Sequence, residues 1–146
     1  MKRVAMLLGV VVLLAAFTGM AAGTDHPDGL TKEKYEAAVE NLLIGLASDN
    51  PGLKESSAFM LGELKATEAV VPLMAMLRSE GDDCCRIVAA LALCRIGEAR
   101  GVYAVKQAIR FDDSENVQQK CAWFYDQYVQ PGSYQFIPVS ANVAQR

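Results

Sequence analysis

The side chains that could do chemistry in this 146-residue chain fall into three small groups. The first is a set of four cysteines, Cys84, Cys85, Cys94 and Cys121. Thiols can bridge, bind a soft metal or act as nucleophiles. Cys85 and Cys94 lie on one predicted helix, nine residues apart. That separates them by about 13 Å along the axis, beyond the reach of a disulfide. There is no C-x-x-C pair, and the single histidine, His26, is remote in sequence. The spacing therefore matches neither a disulfide framework nor a zinc set. Cys84 and Cys85 follow Asp82-Asp83 at a predicted helix start. The helix dipole there lowers a thiol pKa and the two carboxylates raise it, so the pattern alone does not give the sign. Cys94 and Cys121 are expected to pack as small hydrophobic residues.

The second group is acidic: Asp82-Asp83, Asp112-Asp113, Asp25/Asp28 and Glu33/Glu36. The first two pairs fall in turns before helices, where acidic residues cap and suit the dipole. Asp25-His26-Pro27-Asp28 could touch a metal, but it reads as a flexible leader. The third group, Ser56-Ser57, has no histidine near it in sequence to activate a hydroxyl. No glycine-rich phosphate loop is present. These patterns predict no catalytic, cofactor-binding or metal-ligating residue, no cofactor, and a protein that is not an enzyme.

Composition frames the elements that hold these side chains. Hydrophobic residues make up 52% of the chain and charged residues 21%, enough apolar material for a core. Part of it is concentrated at the start. Lys2 and Arg3 precede an uncharged apolar run over residues 4–17, and Gly19, Ala21, Ala22 and Gly23 follow. This is the pattern of a secretory signal over residues 1–23, cut after Ala21 or Gly23. The competing reading is an uncleaved membrane anchor; the small-residue end and Thr24-Asp25-His26 favour cleavage. With the first cysteine at Cys84, a lipid-anchored start is not expected. Loss of Lys2 and Arg3 takes the formal charge from −3 to −5. An exported, acidic domain has no electrostatic reason to hold nucleic acid or an anionic membrane. The expected location is periplasmic or secreted, with no stable membrane anchor after cleavage.

After a leader over residues 24–33, the chain repeats. Leu53 to Leu64, Cys85 to Ile96 and Val117 to Tyr128 align at an offset of 32 residues. Matching columns are Leu53/Cys85/Val117, Ser57/Ala89/Cys121, Ala58/Ala90/Ala122, Leu61/Leu93/Tyr125 and Leu64/Ile96/Tyr128. These offsets fall near one helix face, which predicts the buried side. A helix is predicted before each repeat: residues 34–47 with Ala38, Leu42, Leu43 and Leu46; residues 68–77 with Val70, Leu73, Met74 and Leu77; residues 101–111 with Val102, Val105, Ala108 and Ile109. Asp49-Asn50-Pro51-Gly52, Glu80-Gly81-Asp82-Asp83 and Asp112-Asp113-Ser114 join the helices within each pair.

The second pair, D-D-C-C-R-I-V-A-A-L-A-L-C-R-I-G-E, resembles the HEAT-repeat signature of the phycobilisome-lyase-like type. Arg86, Ala89, Ala90, Ala92, Leu93, Ile96 and Gly97 stand in matching positions. Cys94 replaces the usual glycine and Glu98 the usual aspartate. Ala69-Val70-Val71-Pro72-Leu73 is similar to the A-V-P-x-L of the family's first helix, with Pro72 tolerable in a first turn. The third pair departs most, with Asp126 at the glycine position, as atypical terminal repeats do. The resemblance implies an all-α fold: a short right-handed α-solenoid of about three HEAT-like helix pairs over residues 34–130. Some proteins with this repeat type are bilin lyases. That analogy rests on fold alone, and the export signal argues against a cytoplasmic pigment chaperone.

In such solenoids the second helices line the concave side. At ~100° per residue, the residues opposite the core are Glu55/Ile87/Gln119, Phe59/Leu91/Trp123, Gly62/Cys94/Asp126 and Glu63/Arg95/Gln127. The column Phe59/Leu91/Trp123 is apolar throughout and flanked by Glu63 and Arg95. These five residues are the candidate protein-binding site, suited to a helix or extended peptide; otherwise they fill gaps between helices. Residues 131–146 alternate Tyr, Phe and Ile with polar residues and prolines, an extended tail that folds back over the third pair or is given to a partner. The leading expectation is a non-catalytic exported module that binds a protein or peptide. The alternatives are an assembly subunit stacking end to end on another solenoid, and a lyase-like enzyme.

Overall fold

The computed structural model describes residues 30–133. The signal, most of the leader and the tail beyond Ser133 lie outside the described residues. From Glu33 onward the described helices form one compact unit. They are α1 (Lys32–Leu46), α2 (Pro51–Glu63), α3 (Val70–Ser79), α4 (Asp83–Ile96), α5 (Ala99–Phe111) and α6 (Glu115–Tyr128), with a 3-10 turn at Thr67–Ala69 before α3. No strand occurs among the described residues. The chain is all-α and built of packed helix pairs.

The turns punctuate as their chemistry dictates. Asn50 Oδ1 accepts from the Leu53 amide at 3.3 Å, Asp82 Oδ1 from the Cys84 amide at 2.7 Å and Ser114 Oγ from the Val117 amide at 3.5 Å. Each satisfies an amide donor that a helix start leaves free. Pro51 stands first in α2, where its fixed φ suits a helix start. Pro72 falls in the first turn of α3, as its position predicts. α4 stops at Gly97, whose φ of 74° is the left-handed conformation that favours glycine.

α4 is the centre of the core. It packs against α2, α3, α5 and α6, while α5 also packs on α3 and α6. Leu61, Leu73, Leu93, Val70, Val105 and Val117 are fully buried. Small residues permit the closest approaches. A Cβ on Gly62 would lie 2.7 Å from Ala92 Cα, so α2 and α4 nearly touch through their backbones. A Cβ on Gly101 would meet Leu93 Cδ2 at 2.9 Å and Val70 Cγ1 at 3.6 Å, which seats the start of α5 against α4 and α3.

The columns 57/89/121 and 61/93/125 are buried throughout, as the repeat predicts. Others differ. Leu53 is exposed while Cys85 and Val117 are buried, although α1 approaches it through Gly45, whose added Cβ would lie 3.6 Å from Leu53 Cδ1. Ala122 on α6 is half-buried. Leu64 and Ile96 are half-buried and Tyr128 exposed, since that column falls where the helices end. The outward assignment of Gly62/Cys94/Asp126 is corrected: all three are buried. They point sideways, where α2, α4 and α6 meet, rather than to solvent.

Two first helices bury only part of the face their apolar residues predict: Leu46 in α1, and Val105 and Ala108 in α5. α1 buries Tyr35, Val39, Gly45 and Leu46, leaving Ala38, Leu42 and Leu43 half-buried. Gly45 seats α1 against Ser57, and Tyr35 Oη donates to Glu68 Oε2 at 3.5 Å. α5 buries Gly101, Ala104, Val105 and Ala108. The small side chains take the closest approach, and Val102 and Ile109 flank it. In α3, Met76 rather than Met74 joins the core.

Candidate protein-binding face

The residues of the apolar column emerge on one side of the second helices. Phe59 on α2 is 40% exposed, Trp123 on α6 is 46% exposed, and Leu91 between them on α4 is half-buried. Their spacing of 32 residues is the repeat offset itself, so successive helices present them in the same register.

Around this column the structure assembles an aromatic and charged cluster. The Arg95 guanidinium lies 4.7 Å above the Phe59 ring centre and 5.5 Å from that of Tyr128. Arg95 Nη1 is ion-paired with Glu63. Arg95 Nη2 also donates to Tyr128 Oη at 3.5 Å. Trp123 meets Phe124 edge to face, ring centres 5.4 Å apart, which ties the indole to a buried side chain. Phe59, Glu63 and Arg95 are thus in mutual contact, while Leu91 and Trp123 share their column without a recorded contact to that trio. A cation–π contact and an ion pair shared by one guanidinium fix several rotamers at once. Arg95 is neutralised by Glu63, so the face is apolar with an internally balanced rim.

Tyr128 belongs to this cluster, although its column predicts a core role. An aromatic hydroxyl in the last turn of α6 is the sequence signal that points outward: among the described residues no helix follows to bury it.

A second polar cluster joins two turns. Arg86, buried in α4, places Nη2 2.6 Å from Asp83 Oδ1, and Nη1 2.5 Å from Asp113 and 3.2 Å from Asp112. Ser114 Oγ donates to Asp83 Oδ2 at 2.5 Å. The hydrogen bond from Ser114 and then that from Arg86 hold Asp83 below its ordinary pKa. Arg86 does the same for Asp113, and burial raises Asp112 despite the nearby guanidinium. The cluster staples the α3–α4 turn to the α5–α6 turn. The local periodicity of α4 does not mark this reach; the recurrence of an acidic pair at Asp112-Asp113 is its one trace in the sequence.

The thiols are not activated. All four cysteines are free, Cys84 exposed and the others buried. Asp82, then burial, then Glu55 hold Cys84 above its ordinary pKa. Cys85 is pushed up to about 11, first by burial and then by Glu55. Burial pushes Cys94 and Cys121 up to about 12. Protonated, enclosed thiols are poor nucleophiles.

Among the described residues no helix is long and apolar enough to cross a membrane. No protein-family model matches the chain, and no curated protein matches it.

Proposed function

We propose that the chain is a short right-handed α-solenoid of HEAT-like pairs, exported to the periplasm or beyond, that binds a helix or extended segment of a partner protein. The packing of α2, α3, α5 and α6 around α4 supports the solenoid reading, and the repeat offset supports the family resemblance. The observation that carries the binding reading is the exposure of Phe59 and Trp123 on either side of Leu91. Large aromatic side chains held rigid at a surface are the residues that most often dominate interface energy. Glu63 and Arg95 flank them and set specificity more than affinity.

The test is capture of a partner from the exported fraction, with parent and variants compared. Trp123→Ala removes an anchor from the column. Phe111→Ala removes an aromatic that is 74% exposed on α5, outside the column. The column reading requires capture to be lost with Trp123→Ala and kept with Phe111→Ala, both variants folding as the parent does. Capture lost with Phe111→Ala alone favours the assembly reading. Sequencing the mature N-terminus is the accompanying test of export; a start at Ala22 or Thr24 supports it and a cytoplasmic Met1 opposes it.

A further inference from the structure

We infer that Glu55, Asp82 and Cys85 form a binding site for a borderline divalent cation of the zinc class, independent of the protein-binding face. One donor atom from each residue lies within 4.8 Å of the other two. The three come from different places: Glu55 from α2, Asp82 from the turn before α4, and Cys85 from the first turn of α4. Packing of α2 on α4 brings them together, so the set is built by the fold and not by a local acidic run.

The geometry suits a tetrahedral ion. With Zn–S of about 2.3 Å and Zn–O of about 2.0 Å, a sulfur and an oxygen on one tetrahedral zinc stand about 3.5 Å apart. Cys85 Sγ and Glu55 Oε1 are already 3.7 Å apart. Small side-chain rotations of Asp82 close the remainder. Asp82 uses Oδ1 to cap the Cys84 amide, which leaves Oδ2 for a ligand. The exposed side of the set, at Asp82, leaves the fourth position to water.

Charge is a second, separate observation. The neighbouring carboxylates each have a cation: Glu80 has Lys54 at 2.5 Å, and Asp83 and Asp113 have Arg86. Glu55 and Asp82 have no ion-pair partner among the described residues. Two carboxylates without a salt bridge of their own converge on a buried thiol, and the cation near that thiol, Lys54, is held by Glu80 at 2.5 Å. One sulfur with two or three oxygens favours zinc over the hard cations magnesium and calcium, which take oxygen alone. On binding, the metal forms a bond to the Cys85 sulfur and the thiol proton leaves to solvent.

The experiment titrates the reduced mature protein with Zn²⁺ against a chromophoric chelator, and with Co²⁺ as a spectroscopic probe. One equivalent of tightly held Zn²⁺ is expected, with a sulfur-to-cobalt charge-transfer band. Glu55→Gln keeps the size of a half-exposed side chain and should weaken Zn²⁺ binding by about tenfold or more while leaving Tm unchanged. Cys85→Ser should remove the cobalt band. Cys94→Ser, away from the site, should keep it. Absence of a stoichiometric Zn²⁺ site, or binding that survives both Glu55→Gln and Cys85→Ser, would overturn the proposal. Because Glu55→Gln alone suffices, failure of the buried Cys85→Ser variant to fold leaves the test decisive.

Discussion

Replacing Gly62 by alanine strikes the contact on which the stacking of α2 and α4 depends. The added Cβ would sit 2.7 Å from Ala92 Cα and 3.0 Å from Ala92 Cβ. Ordinary contact starts near 3.4 Å, so the two helices must separate by several tenths of an ångström. The obstacle is backbone, which cannot swing aside as a side-chain tip can. Forcing a methyl into such a site costs about 1–3 kcal/mol. Alanine's better helix propensity returns about 1 kcal/mol. The net expectation is a loss of up to about 2 kcal/mol, with Tm lower by about 4–8 °C per kcal/mol lost for a domain of this size. Gly52→Ala is the matched control on the same helix. Its Cβ would meet only Asn50 Oδ1, at 3.5 Å, so stability should hold or rise by up to about 1 kcal/mol. Urea unfolding followed by circular dichroism reads both. A Gly62→Ala variant as stable as the Gly52→Ala control, with an unchanged m-value, would refute the close approach of the two helices.

Three further outcomes follow from the packing and the charges. Leu93→Ala should lose about 2–5 kcal/mol, as fully buried leucines do; thermal unfolding indistinguishable from the parent would refute the register of α4. In native protein a thiol reagent at pH 8 should modify Cys84 quickly and the three buried cysteines slowly; under denaturing conditions without reductant, at least two free thiols should remain, and zero would contradict their free state. Asp83 and Asp113 have folded pKa values below their unfolded ones, so their stabilisation is present above the unfolded value near 4 and is lost as pH falls through the folded values. Asp112, raised by burial, acts in the opposite direction. Arg86→Met strands three carboxylates, so its deficit relative to the parent should be largest at pH 7 and shrink toward pH 4. A deficit independent of pH would show that Arg86 acts by packing alone.

The second helices were legible because their pattern repeats. Ser57, Ala89 and Cys121 recur every 32 residues, and all three are buried. The first helices were harder to orient. In α1 and α5 only part of the expected apolar face is buried, Leu46 in α1 and Val105 and Ala108 in α5; Gly45 and Gly101 share that side because close helix contact also selects small residues. The column Gly62/Cys94/Asp126 was misplaced because a helical wheel separates inside from outside and has no sideways direction. In a row of adjacent helices, sideways is also buried. Asp82 and Ser114 were legible as caps, whereas Asn50 was legible only as a turn residue. The reach of Arg86 to the following turn was not, since a contact between repeats leaves no mark on local periodicity. The Glu55–Asp82–Cys85 cluster escaped for the same reason: its ligands are set by the crossing of α2 and α4, not by any sequence spacing.

Trp123 is the only tryptophan in the chain, which makes the binding face open to a single-site measurement. With 5-fluorotryptophan incorporated, the protein should show one ¹⁹F resonance with a clear H₂O/D₂O isotope shift, matching a half-exposed indole. Titration with the captured partner should move that resonance and suppress the isotope shift as the column is covered. A partner that binds while the resonance and its solvent shift stay unchanged would contradict the assignment of the Phe59/Leu91/Trp123 face as the binding surface.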